Sequence, residues 1–198
     1  MTKWEKFFDE KIKEIAKEKI IIDVGGGSPF QKELAKYKDD FKDTDYKSLD
    51  YDGSTQPDIV GDIHNLPFAD NSIDAIICKS VLQHIPNPHK ATEEIFRVLK
   101  SQGKCLVCAP FLYPYHGGQD CKDYFRYSKD GVEYLFRNFS KIEICPMRGA
   151  FETLTNFLPF QNKFPFNLLK YFSRTLDCIF GKHQSQNQTS GHYIFLVK

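Results

Sequence analysis

Ile20-Ile21-Ile22-Asp23-Val24-Gly25-Gly26-Gly27 is the stretch that decides how this chain of 198 residues reads. A short apolar run ending in consecutive glycines predicts a buried strand followed by a tight turn. A ligand seated at the carboxyl end of such a strand approaches the backbone closely, and side chains there would block it. The same residues also suit a plain glycine turn. The dinucleotide fingerprint G-x-G-x-x-G fits poorly, because its third glycine falls on Phe30. Pro29 fits the first turn of a following helix, which turns Leu34 and Tyr37 toward the sheet.

The flanking sequence alternates strand and helix. Phe8, Ile12 and Ile15 recur at helical spacing within residues 4–17. Residues 45–50, 59–61, 73–78 and 104–109 read as further strands. Asn87-Pro88 supplies the cap and first position of a helix with an apolar face at Ile95, Phe96, Val98 and Leu99, and Gly103 suits its stop. Ser128 caps a helix reaching about Asn138, and residues 141–147 and 192–197 are the last strands. This order predicts a Rossmann-like α/β domain, a mostly parallel sheet with helices on both faces. The expected organisation is one domain over 1–198: an N-terminal helix (1–19), a core (20–150), a helical insertion with a mobile loop (151–191) and a final strand (192–198).

Basic and acidic residues nearly balance at a formal net charge of +1, so no basic field for nucleic acid is expected. Cys105 and Cys108 lie three apart in a strand and point to opposite faces, which makes them poor partners for a disulfide or a metal. No ligand spacing predicts a metal. The charged N-terminus is unlike a signal peptide, and no apolar run is long enough to span a membrane. A reducing, cytoplasmic location is the expectation.

Two acidic positions follow the glycine turn. Asp50 ends the second strand, where a carboxylate accepts hydrogen bonds from ribose hydroxyls, with Asp52 as its rival and a turn before Gly53 as the bland alternative. Asp62, in Gly61-Asp62-Ile63 ahead of Leu66-Pro67-Phe68, suits either an exocyclic adenine amine or a turn. Together, D-x-G-x-G at 23–27, Asp50, GDI-x-x-LPF at 61–68 and E-x-x-RVLK at 94–100 resemble the UbiE-like class I methyltransferases of the methyltransferase-11 type, from Asp23 to about Phe139. The resemblance implies S-adenosylmethionine as cofactor and a seven-stranded sheet with its last strand antiparallel. By that likeness Asp23, Gly25, Gly26 and Gly27 hold the methionine part, Asp50 the ribose, and Asp62 with Ile63 the adenine, while Lys79 and Ser80 line the pocket and Tyr51 is a further cofactor-binding candidate. Gln83 departs from the glutamate common there, which argues against an acid–base role. Pro110–His116 and Asp123–Tyr127 resemble a subset tied to saccharide and cell-envelope pathways, so the expected acceptor is a small molecule, a saccharide or a lipid-linked group.

Methyl transfer needs an aligned acceptor and, for oxygen, a base. His116 follows the fifth strand at the acceptor end and is the first candidate, unless it only fixes its loop. Asp123 and Tyr124 come next. His84 and Arg126 are candidate acceptor contacts, although Asp123 and Arg126 at a spacing of three also suit a pair that holds the loop. Between 151 and 180, Leu169, Phe172, Leu176 and Ile179 form an apolar helical stripe, which suits a packed lid, a dimer contact or peripheral membrane contact. A nicotinamide oxidoreductase and a non-catalytic binding protein on the same fold are the competing readings.

Overall fold

The computed structural model describes residues 1–118, 121–158, 166–180 and 187–198, without the side chains of Phe166, Asn167 and Lys170. Seven strands form one sheet: β1 Ile20–Val24, β2 Asp45–Asp50, β3 Ile59–Val60, β4 Ile73–Lys79, β5 Leu99–Pro110, β6 Lys141–Met147 and β7 Gly191–Val197. Their order is β3-β2-β1-β4-β5-β7-β6. β1 pairs in parallel with β2 and β4, and β4 with β5, whereas β7 runs antiparallel between β5 and β6. Strand order reverses at β1, which opens a crevice at its carboxyl end. The expected Rossmann-like sheet with an antiparallel last strand is present.

Two cores cover the sheet. One face packs Ile22, Val24, Ile76, Cys78 and Cys105 against α2 (Pro88–Val98) and α3 (Lys129–Leu135). The other packs Ile21, Ile77, Leu106 and Cys108 against α1 (Lys3–Ile15) and a 3-10 segment at Lys32–Phe41. Period-two alternation sends Cys105 and Cys108 into different cores, and all six cysteines are free thiols. α1 starts with a capping box between Thr2 and Glu5. Asn87 caps α2 by accepting from the Lys90 N–H, with Pro88 at the first position, and Ser128 caps α3 through the Gly131 N–H.

Three local expectations are corrected. Pro29 does not open a helix. Phe30 and Lys32 take left-handed φ values of 56° and 53°, and Phe30 stacks on Tyr46 at 4.1 Å. Burying that ring holds the chain in a turn, so the helix starts only at Lys32. Gly103 lies inside β5 and does not stop α2, whose end at Val98 passes into extended backbone at Leu99. Gly103 is needed there because a Cβ would stand 2.8 Å from the Lys100 carbonyl oxygen. The helix after Ser128 ends at Leu135.

The insertion after β6 forms α4 (Ala150–Thr155) and α5 (Phe166–Phe180). The expected packed lid is reversed. Ser173 is buried, while Leu169, Phe172 and Ile179 of the apolar stripe are exposed. Asp177 accepts the Phe151 and Glu152 N–H groups at 2.9 Å each, and Arg174 bonds Glu152, so polar contacts hold the inner face. Of the loop expected at 181–191, residues 181–186 lie outside the described residues.

Candidate functional site

The carboxyl ends of β1, β2 and β4 open a cleft of about 650 Å³, within the size range of small-molecule sites. Gly25, Asp50, Asp62, Ile63, Ser80, His84 and Tyr124 are among its lining residues. Gly25 has φ 72°, donates to the Leu49 carbonyl at 2.7 Å, and faces Val81 so closely that a Cβ would overlap a Val81 methyl. Only glycine meets both demands there. Asp50 closes the turn, accepting the Gly27 N–H at 3.0 Å on one oxygen and the Asp52 N–H at 3.0 Å on the other. Each oxygen keeps a second lone pair for an incoming hydroxyl. Its rival Asp52 instead caps Ser54 at 2.9 Å, and those bonds from Ser54 lower its pKa. Tyr51 is almost fully exposed at the rim.

Asp23 and Lys79 lie on the other face of the sheet. Asp23 is 3% exposed and accepts the Tyr46 hydroxyl at 2.7 Å. Burial pushes its pKa up to about 6, against the pull of that bond and of Lys79. A Cβ on Gly26 would overlap its carboxylate. Lys79 pairs with Glu33 and lies 4.8 Å over the Phe8 ring, so its ammonium points away from the cleft. Strand alternation requires this, since Lys79 shares a face with Ala75 and Ile77. Ser80, the next residue, turns into the cleft with φ 56°.

On the opposite wall, one Asp62 oxygen accepts both the His64 backbone N–H at 2.9 Å and His64 Nδ1 at 2.7 Å. Burial raises the Asp62 pKa, but these bonds outweigh it and hold it below the usual range. Ile63 is buried beside it. Sequence reasoning missed what fixes this wall. Arg97 bonds the Leu66 and Phe68 carbonyls, Asp70 and Glu94, while Glu94 accepts the Leu66 N–H at 2.9 Å. The E-x-x-R spacing on α2 thus clamps the LPF loop, and that spacing was the available signal.

The acceptor-side residues separate into two groups. His84 Nδ1 lies 2.7 Å from the Lys122 carbonyl, which can only accept. Nδ1 therefore donates there, and in the neutral ring the lone pair lies on Nε2. Gln83 donates to the Ser80 carbonyl at 2.8 Å, a bond a glutamate would lack, which explains the departure at this position. His116 is exposed outside the lining, its ring 6.0 Å from that of His84. Asp123 accepts the His116 backbone N–H at 2.7 Å and a bidentate pair from Arg126. The Arg126 guanidinium holds Asp123 down to about 2. Arg126 further donates to the carbonyls of Tyr113, Pro114 and Phe125, which uses all five of its N–H groups. The pair ties residues 113–116 to residues 123–126. Tyr124 lines the cleft and its N–H bonds the Gln83 carbonyl at 2.7 Å.

Residues 22–107 match the model of a methyltransferase domain family. That stretch is similar to the class I methyltransferases of the methyltransferase-11 type. The chain is 33% identical over 147 residues to a demethylmenaquinone methyltransferase of Thermotoga maritima, covering 70% of this chain and 63% of the relative. It is 36% identical over 111 residues to a ubiquinone/menaquinone biosynthesis C-methyltransferase of Rickettsia prowazekii, covering 48% and 42%. The chain thus spans less than two thirds of either relative. A methyltransferase structure from Archaeoglobus fulgidus superposes with a TM-score of 0.63 at 11% identity, over 96% of this chain and 90% of that one. A Haemonchus contortus phosphoethanolamine N-methyltransferase, solved with S-adenosyl-L-methionine, gives 0.55 at 17% identity over 94% and 50%. These likenesses carry the fold. Among the described residues no helix is long and apolar enough to cross a membrane.

Proposed function

We propose that this chain transfers the methyl group of S-adenosylmethionine to a small, lipophilic, quinone-type acceptor. The observation that carries the reading is the cleft itself: a glycine-only turn at Gly25, a carboxylate at Asp50 and an Asp62–Ile63 wall converge on one cavity. Asp50 would receive ribose hydroxyls, and Asp62 an amine on the adenine, with Ile63 against the ring. Gly25–Gly27 would admit the methionine part, and Asp23 would act on it from behind Gly26, where a Cβ would overlap its carboxylate. Bound there, the cofactor supplies an electrophilic methyl on a sulfonium.

His84 is the group we assign to the acceptor. Its Nε2 lone pair would take a ring hydroxyl proton, which makes the adjacent ring carbon nucleophilic. Ile85, Pro86 and Tyr124 give this end of the cleft an apolar lining. The quinone class rests on the relatives' named substrates together with that lining. His116 stands behind His84 and would tune or orient it. A labelled methyl-transfer assay with demethylated naphthoquinols tests both points. The wild type should label the quinol, His84→Ala should lose about 10²–10⁴-fold in rate with cofactor affinity retained, and His116→Ala should lose less. Absence of transfer to quinols would remove the acceptor class, and a native rate in His84→Ala would remove the base.

A further inference from the structure

We propose that His64 is a positioning residue, which aims the Asp62 carboxylate at the adenine 6-amine and so sets how strongly the cleft selects that base. This role rests on the reading of the cleft as an S-adenosylmethionine site and deepens it. β3 ends at Val60, and the Asn65 N–H bonds the Asp62 carbonyl at 2.9 Å, so residues 62–65 form a tight turn. Within the turn, Asp62 Oδ1 accepts the His64 backbone N–H at 2.9 Å and His64 Nδ1 at 2.7 Å. The backbone bond is that of an Asx turn, which most residues at position 64 would supply. The ring bond needs a side-chain donor at that height. With the backbone bond alone, a side chain 47% exposed like that of Asp62 would still rock about its torsions. Two donors on one oxygen hold the carboxylate plane and leave Oδ2 for the cleft, which Asp62 and His64 both line.

Asp62 is the polar contact that the ring makes. The His64 side chain is only 23% exposed, and its Nε2 is buried without a partner among the described residues. A histidine that served only the turn would face water and keep both nitrogens solvated. This one is turned inward, and its bond to Asp62 accounts for that direction. Burial raises the Asp62 pKa, but the two bonds from His64 outweigh it and keep the group an anion at neutral pH. An ionised carboxylate only accepts, so the oxygen left for the cleft suits a donor such as an amine. The far side of the wall is also fixed, by Arg97 on the Leu66 and Phe68 carbonyls and by Glu94 on the Leu66 N–H. Backbone and carboxylate are thus in place before a base arrives, and the ordering of a side chain that weakens binding elsewhere is avoided here.

Titration calorimetry with S-adenosylhomocysteine, and with its analogue carrying purine in place of adenine, tests the role. The analogue lacks only the 6-amine, and the wild type should bind it about tenfold or more weaker. His64→Leu keeps most of the bulk and removes the donor. It should lose about threefold to tenfold in affinity for S-adenosylhomocysteine and nothing for the analogue, so the preference shrinks by the same factor. His64→Asn puts an amide N–H where Nδ1 lies and should restore the wild-type preference. His64→Ala, which lacks the donor and adds no bulk, repeats the comparison if the leucine variant does not fold. Equal weakening of both ligands would make His64 a packing residue and overturn the proposal. So would unchanged affinity for S-adenosylhomocysteine in the donor-less variants, an asparagine variant that behaves like them, or a wild type that does not distinguish the two ligands. The cofactor reading is tested separately. A wild type that binds neither ligand overturns both, whereas binding that Asp50→Ala weakens and His64→Leu leaves alone overturns only the role of His64.

Discussion

Replacing His192 by phenylalanine should remove an acid sensitivity built into the edge of the acceptor loop. His192 is 1% exposed at the start of β7, and neither ring nitrogen has a partner among the described residues. It stacks on Phe111 at 6.2 Å, and the Phe111 N–H bonds the Ser190 carbonyl, so the histidine underpins the first residue of the loop. Burial lowers its pKa from 6.5 to about 4. Between those values the unfolded chain takes up a proton that the folded chain refuses. Stability contributed by the neutral ring is thus full above about pH 6.5 and falls as the pH drops toward 4. Linkage gives a loss of about 2 kcal/mol between pH 7.5 and pH 5 from this group. Urea unfolding at both pH values measures it. The wild type should lose about 2 kcal/mol more than His192→Phe over that interval. Identical losses in both proteins would refute the buried, neutral histidine.

Asp23 should act in the opposite sense. Its folded pKa is raised to about 6, so its contribution favours folding at low pH and is lost as the pH rises through 6. Asp23→Asn should therefore stabilise the protein at pH 8 while weakening cofactor binding, both read by calorimetry; a destabilised variant at pH 8 would contradict the burial cost. Gly25→Ala should abolish cofactor binding and cost about 1–3 kcal/mol in urea unfolding, because the new methyl overlaps Val81 and sits at φ 72°. Native affinity in that variant would displace the glycine turn from the site.

Much of the site was legible because its parts are short and local. The glycine turn, Asp50 at the end of β2 and Asp62 after β3 each follow a strand that its own residues define, and all but Asp23 and Lys79 of the expected cofactor group line or rim the cleft or its turn. Lys79 was misplaced for a reason the sequence already held, since period two puts it with Ala75 and Ile77. Other features depend on long-range packing. Phe30 leaves helical backbone only because Tyr46 and Phe41 offer a place for its ring. The choice between His116 and His84 turns on a carbonyl at Lys122, 38 residues away. Asp123 and Arg126 admitted two roles at one spacing, and the five bonds of the guanidinium, which depend on carbonyls up to 13 residues away, favour loop fixing. The stripe on α5 was read correctly as apolar, but its direction was set by Asp177 and Glu152, which no periodicity reveals.

The central claim is that the cleft holds S-adenosylmethionine through its Asp50 wall, and titration calorimetry tests it directly. S-adenosylmethionine and S-adenosylhomocysteine should each bind the wild type, NADH should not, and Asp50→Ala should weaken both ligands by roughly tenfold to a hundredfold, the worth of one charge-assisted hydrogen bond. No heat with S-adenosylmethionine, or unchanged affinity in a folded Asp50→Ala protein, would contradict the account.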